Sequence, residues 1–167
     1  MIAVFGEILA DVFPQRTVLG GAPYNVARHL QAFEMDALLI SKLGNDALGK
    51  HIRDDMQQRS LSLEGIQQDH SYPTGQVKVT LHGQQHHFDI LEQQAYDYIE
   101  APQAFAAFRK KPIGFMYYGS LALRNSVSFN TAQSLLRQST CPKFLDLNLR
   151  APWYTANTLQ YFFLCGK

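Results

Sequence analysis

Cysteine is scarce in this chain. Cys141 and Cys165 are the only two, and they form no CxxC pair of the kind that holds zinc or cycles as a redox dithiol. Reduced thiols in a cytoplasmic protein are the expectation from that usage. A long apolar run is missing as well. Nothing approaches the roughly 18 residues of a membrane span, so no membrane partner is expected. Charge of one sign is also lacking. Fifteen basic residues stand against fourteen acidic, for a net charge of +1, and no basic run is present to attract nucleic acid. The opening Met1-Ile2-Ala3-Val4-Phe5-Gly6 has neither the basic flank nor the long apolar core of a signal peptide. No repeat or low-complexity tract breaks the chain. At 167 residues it can bury a single core, hiding about 70% of its unfolded surface.

The most informative stretch is Gly20-Gly21-Ala22-Pro23-Tyr24-Asn25-Val26-Ala27. Two glycines let the backbone turn sharply and approach a ligand with no Cβ in the way. Pro23 suits the first turn of a helix, where its missing N–H costs nothing. Ala27, Leu30 and Phe33 continue at helical spacing. Asn25 would then stand at the mouth of a glycine loop, offering a donor and an acceptor that suit vicinal hydroxyls. An ordinary strand-to-helix turn is the plainer alternative.

Along the rest of the chain, apolar runs and helical patterns alternate. Met1–Phe5, Ala37–Ser41, Ile113–Tyr118 and Lys143–Leu147 read as strands. Asp46–Arg59, Pro102–Lys110 and Ser126–Gln138 read as helices. Such alternation argues an α/β fold with a parallel sheet covered on both faces. Gln76–Leu81 and His86–Leu91, joined by His82-Gly83-Gln84-Gln85, form a hairpin by pattern and turn chemistry. With Ile8–Phe13 this hairpin would make a small separate three-stranded sheet, a lid.

Three further segments accompany the glycine run: Gly6-Glu7-Ile8-Leu9-Ala10-Asp11, Lys42-Leu43-Gly44-Asn45-Asp46-Ala47-Leu48-Gly49 and Asp146-Leu147-Asn148-Leu149-Arg150. In this order they resemble the ribokinase-like (phosphofructokinase B) sugar kinases, and within them the fructokinase-type members. The likeness runs from Met1 to about Trp153. It implies a Rossmann-like ribokinase fold with a β-sheet lid, of which residues 1–167 would be the N-terminal part of one domain, with lid segments 8–14 and 75–92. It also implies transfer of the ATP γ-phosphate to a sugar hydroxyl, with ATP and magnesium as cofactors and a small-molecule sugar as partner.

Ligands in such sheets bind beyond the carboxyl ends of the parallel strands. Asp11, the Gly20-Gly21 loop and Asn148 can converge there. Asp11, an acceptor-only carboxylate, could take two hydroxyl donors. By the resemblance, Asp11, Gly21 and Asn25 match positions that hold the sugar. Arg150, with its planar fork and permanent charge, is the phosphate-facing candidate. A helix-capping role for Asp146 and Asn148, and a surface role for Asp11, are the competing readings.

Gly44-Asn45-Asp46-Ala47-Leu48-Gly49-Lys50-His51 nearly spells a phosphate loop, but His51 stands where Ser or Thr would hold magnesium. The expectation is structural: Gly44 ends a strand and Asp46 caps a helix. His70, His82, His86 and His87 give no ligand set at metal spacing, so no metal site is expected. Tyr96 and Tyr98 could flank a sugar or pack in the core.

One departure from the family pattern carries weight. Its C-terminal half has a glycine-rich GAGD segment, supplying the base and an anion hole, and an NxxE motif. Neither is among these residues, and the C-terminal half reads as absent. The apolar ending Leu159–Lys167 does not look like a native finish. A truncated chain, inactive alone, is expected, with possible homodimerisation through the lid. A non-catalytic sugar-binding fragment and a P-loop nucleotidase are the alternatives.

Overall fold

The computed structural model describes residues 1–82 and 85–154. The expected turn at Gly83-Gln84 and the apolar ending Leu159–Lys167 lie outside the described residues. Nine strands, four α-helices and two short 3₁₀ turns follow one another along the described chain.

A five-stranded parallel sheet forms the body. Its strands are β1 (Ile2–Phe5), β4 (Ala37–Gly44), β5 (Ile66–Asp69), β8 (Phe115–Gly119) and β9 (Lys143–Asp146), in the order β5-β4-β1-β8-β9. Strand alternation sorts the side chains onto two faces. Ala3, Phe5, Leu38, Ile40, Met116 and Tyr118 pack on one side with Ala104 and Ala107 of α3 (Ala101–Phe108) and Ala132 and Leu135 of α4 (Ser126–Gln138). Val4, Leu39, Leu43 and Tyr117 pack on the other with Tyr24 and Ala27 of α1 (Ala22–Ala32) and Ile52 and Met56 of α2 (Ala47–Gln58). Both faces are therefore covered, as a parallel sheet requires.

A second sheet holds β2 (Leu9–Val12), β3 (Thr17–Gly20), β6 (Gly75–His82) and β7 (Gln85–Ile90), in the order β3-β2-β6-β7. The expected three-stranded sheet thus gains a fourth strand. Thr17–Gly20 runs antiparallel to β2, so Gly20 ends a strand rather than lying in a loop. Leu9 stands opposite both Gly20 and Gly75, and Val77 opposite Ile90. Every entry into this sheet from the body, and every exit, therefore lies at one end. A third cluster, Leu9, Val77, Tyr96, Leu121 and Ala122 with Ile90 and Trp153, joins the two sheets.

Candidate functional site

The chain leaves β1 through Gly6, whose φ of +144° and contact with Pro23 leave no space for a side chain. Residues 6–8 carry it directly into β2. On the far side of β3, Gly21 (φ +104°) caps α1 without a side chain, and a Cβ there would lie 2.6 Å from the Glu7 carbonyl oxygen. Only glycine lets the two segments pass this closely. The Ala22 N–H, one of the free donors at the start of α1, donates to Glu7 Oε1 at 3.1 Å. The Asn25 N–H closes the first turn onto the Gly21 carbonyl at 2.9 Å.

A cavity of about 570 Å³ opens here, between the inner face of the second sheet and the carboxyl ends of β1, β8 and β9. Asp11, Gly21, Asn25, Asn148 and Arg150 all line it. Gly20 does not. Its place is in the β3 backbone beside Asp11, whose Oδ2 would sit 3.5 Å from a Cβ there. Burial raises the Asp11 pKa above the ordinary carboxylate value, as desolvation does for any acid.

The β9 end is held as firmly as the β1 end. Asp146 accepts from the Tyr117 hydroxyl, and Asn148 adopts a left-handed φ of 24°, a conformation Asn tolerates better than most residues. No helix follows within the described residues, so Asp146 and Asn148 are not the caps weighed as an alternative. Arg150 is exposed and donates to the Leu149 carbonyl at 3.3 Å. Its own carbonyl accepts from the Trp153 N–H at 2.8 Å. The Trp153 ring in turn lies 4.2 Å from the Arg124 guanidinium. Arg124 is paired with Asp97 through two hydrogen bonds of 2.8 Å and donates to the Leu91 carbonyl. One buried arginine thus ties the loop carrying Arg150 to the exit of β7.

Several lining residues carried no recognised sequence signal. Leu9, Val77, Phe88, Ile90 and Leu121 supply an apolar wall, readable only once the second sheet is assembled. Glu7 also lines the cavity and is 3% exposed. Its Oε2 has no hydrogen-bond partner. Burial pushes its pKa up from 4.5 to about 7, against the lowering effect of hydrogen bonds from its own backbone N–H and from Ala22, and Asp146 adds to the rise. Glu7 stands in the segment Gly6–Asp11 that carries the resemblance, but beyond that only its charge inside the apolar run Phe5-Gly6-Glu7-Ile8-Leu9 marks it out.

The other candidates fall outside the cavity. Tyr96 is fully buried in the cluster between the sheets, and Tyr98 stacks on Tyr72 at 3.7 Å. The turn before α2 has its donors taken. Asp46 Oδ1 accepts from the Gly49 N–H at 2.7 Å and from the Thr74 hydroxyl, and Oδ2 from the Thr74 N–H. A carboxylate occupies the place a phosphate would need. The His70 ring is 3.5 Å from the Asn45 side-chain amide, and His87 is exposed on β7. The side chains of His82 and His86 lie outside the described residues. Among the described residues, no group of three or more His, Cys, Asp or Glu stands together to hold a metal. No helix among them is long and apolar enough to cross a membrane.

Comparison with known proteins agrees with this architecture. A putative sugar kinase of Pyrococcus horikoshii is 32% identical over 109 residues, covering 58% of this chain and 34% of that protein. A probable fructokinase of Arabidopsis thaliana is 24% identical over 168 residues, covering 91% of this chain and 49% of that protein. The chain thus spans half or less of the length of these curated relatives. Among solved structures, a P. horikoshii sugar kinase in complex with ATP superimposes with a TM-score of 0.84 at 23% identity, over 99% of this chain and 59% of that one. The fructokinase of Xylella fastidiosa with bound ATP gives 0.81 at 20% identity, over 93% and 51%. The fold is that of the ribokinase-like proteins. Residues 4–161 match the model of the pfkB family carbohydrate kinases, and the chain belongs to that family.

Proposed function

We propose that the cavity binds a sugar, and that the chain is the sugar-binding, N-terminal part of an ATP-dependent, fructokinase-like kinase. The observation that carries this reading is the meeting of Asp11, Asn25, Asn148 and Arg150 around one cavity. A carboxylate, two amides and an apolar wall suit a molecule with hydroxyls on one side and C–H groups on the other. In this reading the second sheet is the lid of a single domain, with segments 8–14 and 75–92, and the protein is cytoplasmic.

ATP is the phosphoryl donor in the proposal, in keeping with the nucleotide bound by two solved relatives. Arg150, the basic residue among the cavity-lining residues described, fits the phosphoryl end of such a nucleotide, as a planar permanent cation. ATP would supply the electrophilic phosphorus, and Arg150 would draw charge from its oxygens. Magnesium would arrive on the nucleotide phosphates.

The chain of 167 residues is proposed to bind sugar without phosphorylating it. The GAGD segment that would carry the general base and anion hole in the family is not among these residues. Loss of an anion-hole donor alone costs on the order of 10²–10³ in rate.

Calorimetric titration of D-fructose into the purified chain tests the binding, and an ADP-release assay on the same preparation tests the chemistry. Saturable binding that weakens at least about tenfold in Asp11→Asn, as loss of a charge-assisted hydrogen bond does, supports the reading. Equal heats from fructose and a non-sugar control would end it. Turnover near 1 per second, an ordinary rate for enzymes, would leave the site standing and overturn the inactivity.

A further inference from the structure

Glu7 is a buried acid for which the proposed chemistry has no use. It sits where β1, β2 and the start of α1 meet, and it is enclosed by glycines on two sides. A Cβ on Gly21 would come within 3.4 Å of its Cγ, and one on Gly119 within 3.2 Å of its Oε2. One carboxylate oxygen holds the Ala22 N–H, while the other is buried and unpartnered. The first turn of α1 contains no acidic residue, so Glu7 is the carboxylate its N-terminus meets. A helix start favours negative charge, but burial of an anion with one bare oxygen is costly. These two demands oppose each other at a single side chain.

Resting on the sugar-site reading above, we propose that Glu7 is a positioning residue of the cavity: the proton on its unpartnered Oε2 decides how tightly Oε1 holds Ala22, and through it where Gly21 and Asn25 stand on the cavity wall. Ionised, Oε1 accepts a charge-assisted hydrogen bond, roughly twice as strong as the neutral kind. Protonated, the same oxygen is an ordinary carbonyl acceptor, and the first turn of α1 is held more loosely. Other groups act on this proton from every side. Asp146 on β9 favours its retention and Arg124 its loss. Tyr117 on β8 and Tyr96 feel the Glu7 charge in return. Asp11 and Arg150 line the same cavity. With the Glu7 pKa raised to about 7, the two states exchange near neutral pH.

The experiment follows assigned backbone amide signals by NMR from pH 5.5 to 8.5, on the wild-type chain and on Glu7→Gln. Gln keeps an oxygen acceptor and the side-chain length but cannot ionise. The Ala22 and Asn25 amides are expected to shift together in the wild type, with a midpoint near 7, and to stay flat in Glu7→Gln. A carbon-13 label on the Glu7 carboxyl must show the same midpoint, which keeps the assignment independent of how well the variant folds. D-Fructose affinity, read in parallel, should rise on the order of threefold from pH 6 to 8 in the wild type, as the Ala22 bond gains charge assistance.

Absence of any Ala22 shift, or its persistence in Glu7→Gln, overturns the proposal. So does a titrating Ala22 alongside a fructose affinity that ignores pH. If Ala22 titrates with Glu7 and fructose does not bind at all, the hold of Glu7 on the α1 wall is supported and the sugar reading falls.

Discussion

Asp46 accepts from both the amide and the hydroxyl of Thr74, each at 2.8 Å, and so fastens the start of α2 to the foot of β6. The same carboxylate caps α2 through the Gly49 N–H. Burial alone would push its carboxyl up, but the hydrogen bonds from Thr74, Gly49 and Leu48 outweigh it and hold the pKa below the usual value. A depressed acid contributes stability above its unfolded pKa, and that stability is lost as pH falls through the folded pKa. Asp46→Ala should therefore cost about 1–3 kcal/mol at neutral pH. Chemical denaturation should show the gap from wild type narrowing below about pH 4.

For Glu7 the sign is reversed. Its folded pKa lies above the unfolded one, so the favourable contribution is complete below pH 4.5 and is lost as pH rises to about 7. Wild-type stability should decline across that window, by on the order of 3 kcal/mol at about 1.4 kcal/mol per pKa unit. Glu7→Gln should not show the decline. Melting curves at pH 5 and 8 compare the two, and a wild-type curve parallel to that of Glu7→Gln would refute the linkage.

Arg124 and Asp97 form a buried ion pair, with side chains 6% and 3% exposed. Removing one partner from such a pair leaves a bare charge inside and costs about 3–5 kcal/mol. Arg124→Met should lose that much in urea unfolding. It should also free Trp153, which rests on the guanidinium, so that tryptophan fluorescence shifts toward the solvent-exposed wavelength while the chain is still folded.

Gly21→Ala asks for a Cβ at a φ of +104° and 2.6 Å from the Glu7 carbonyl. The strained backbone alone costs of order 1–3 kcal/mol, and the clash forces α1 away from residues 6–8. Expected are a lower melting temperature and, by the sugar reading, lost fructose binding at temperatures where the variant is folded.

The elements legible in the sequence are those whose signal is local. Ser126–Gln138 reads as a helix from its own spacing and is one. Asp46 reads as a cap because the group it binds lies three residues on. Gln76–Leu81 and His86–Leu91 alternate clearly enough to declare a hairpin. Thr17–Gly20 gives no strand signal of its own because four residues show little alternation, and its partner β2 supplies the order. Ile66–Asp69 has a single apolar residue. It is a strand because β4 pairs with it and because Gln67 exchanges side-chain hydrogen bonds with the backbone of Glu100. The candidate site divides in the same way. Asp11, Gly21, Asn25, Asn148 and Arg150 sit in recognisable short motifs. Glu7 acts through a residue fifteen positions away, and the apolar wall exists only after two sheets meet.

The register of the second sheet has a mechanical consequence. Its four strands all join the body at the same end, where Leu9, Gly20, Gly75 and Ile90 lie. The tethers are residues 6–8, residue 21, residues 70–74 and residues 91–94. At 3.3–3.6 Å per residue, roughly the limit of an extended chain, the shortest tethers, residue 21 and residues 6–8, have the least reach. Thr74, Gln94 and Glu7 fasten the tethers further, through Asp46, Gln76 and Ala22. Four short straps at one end leave the opposite end of the sheet without a covalent tie to the body. Asp11 lies two residues from that tethered end along β2, and Phe88, opposite Val79, lies two rows beyond it.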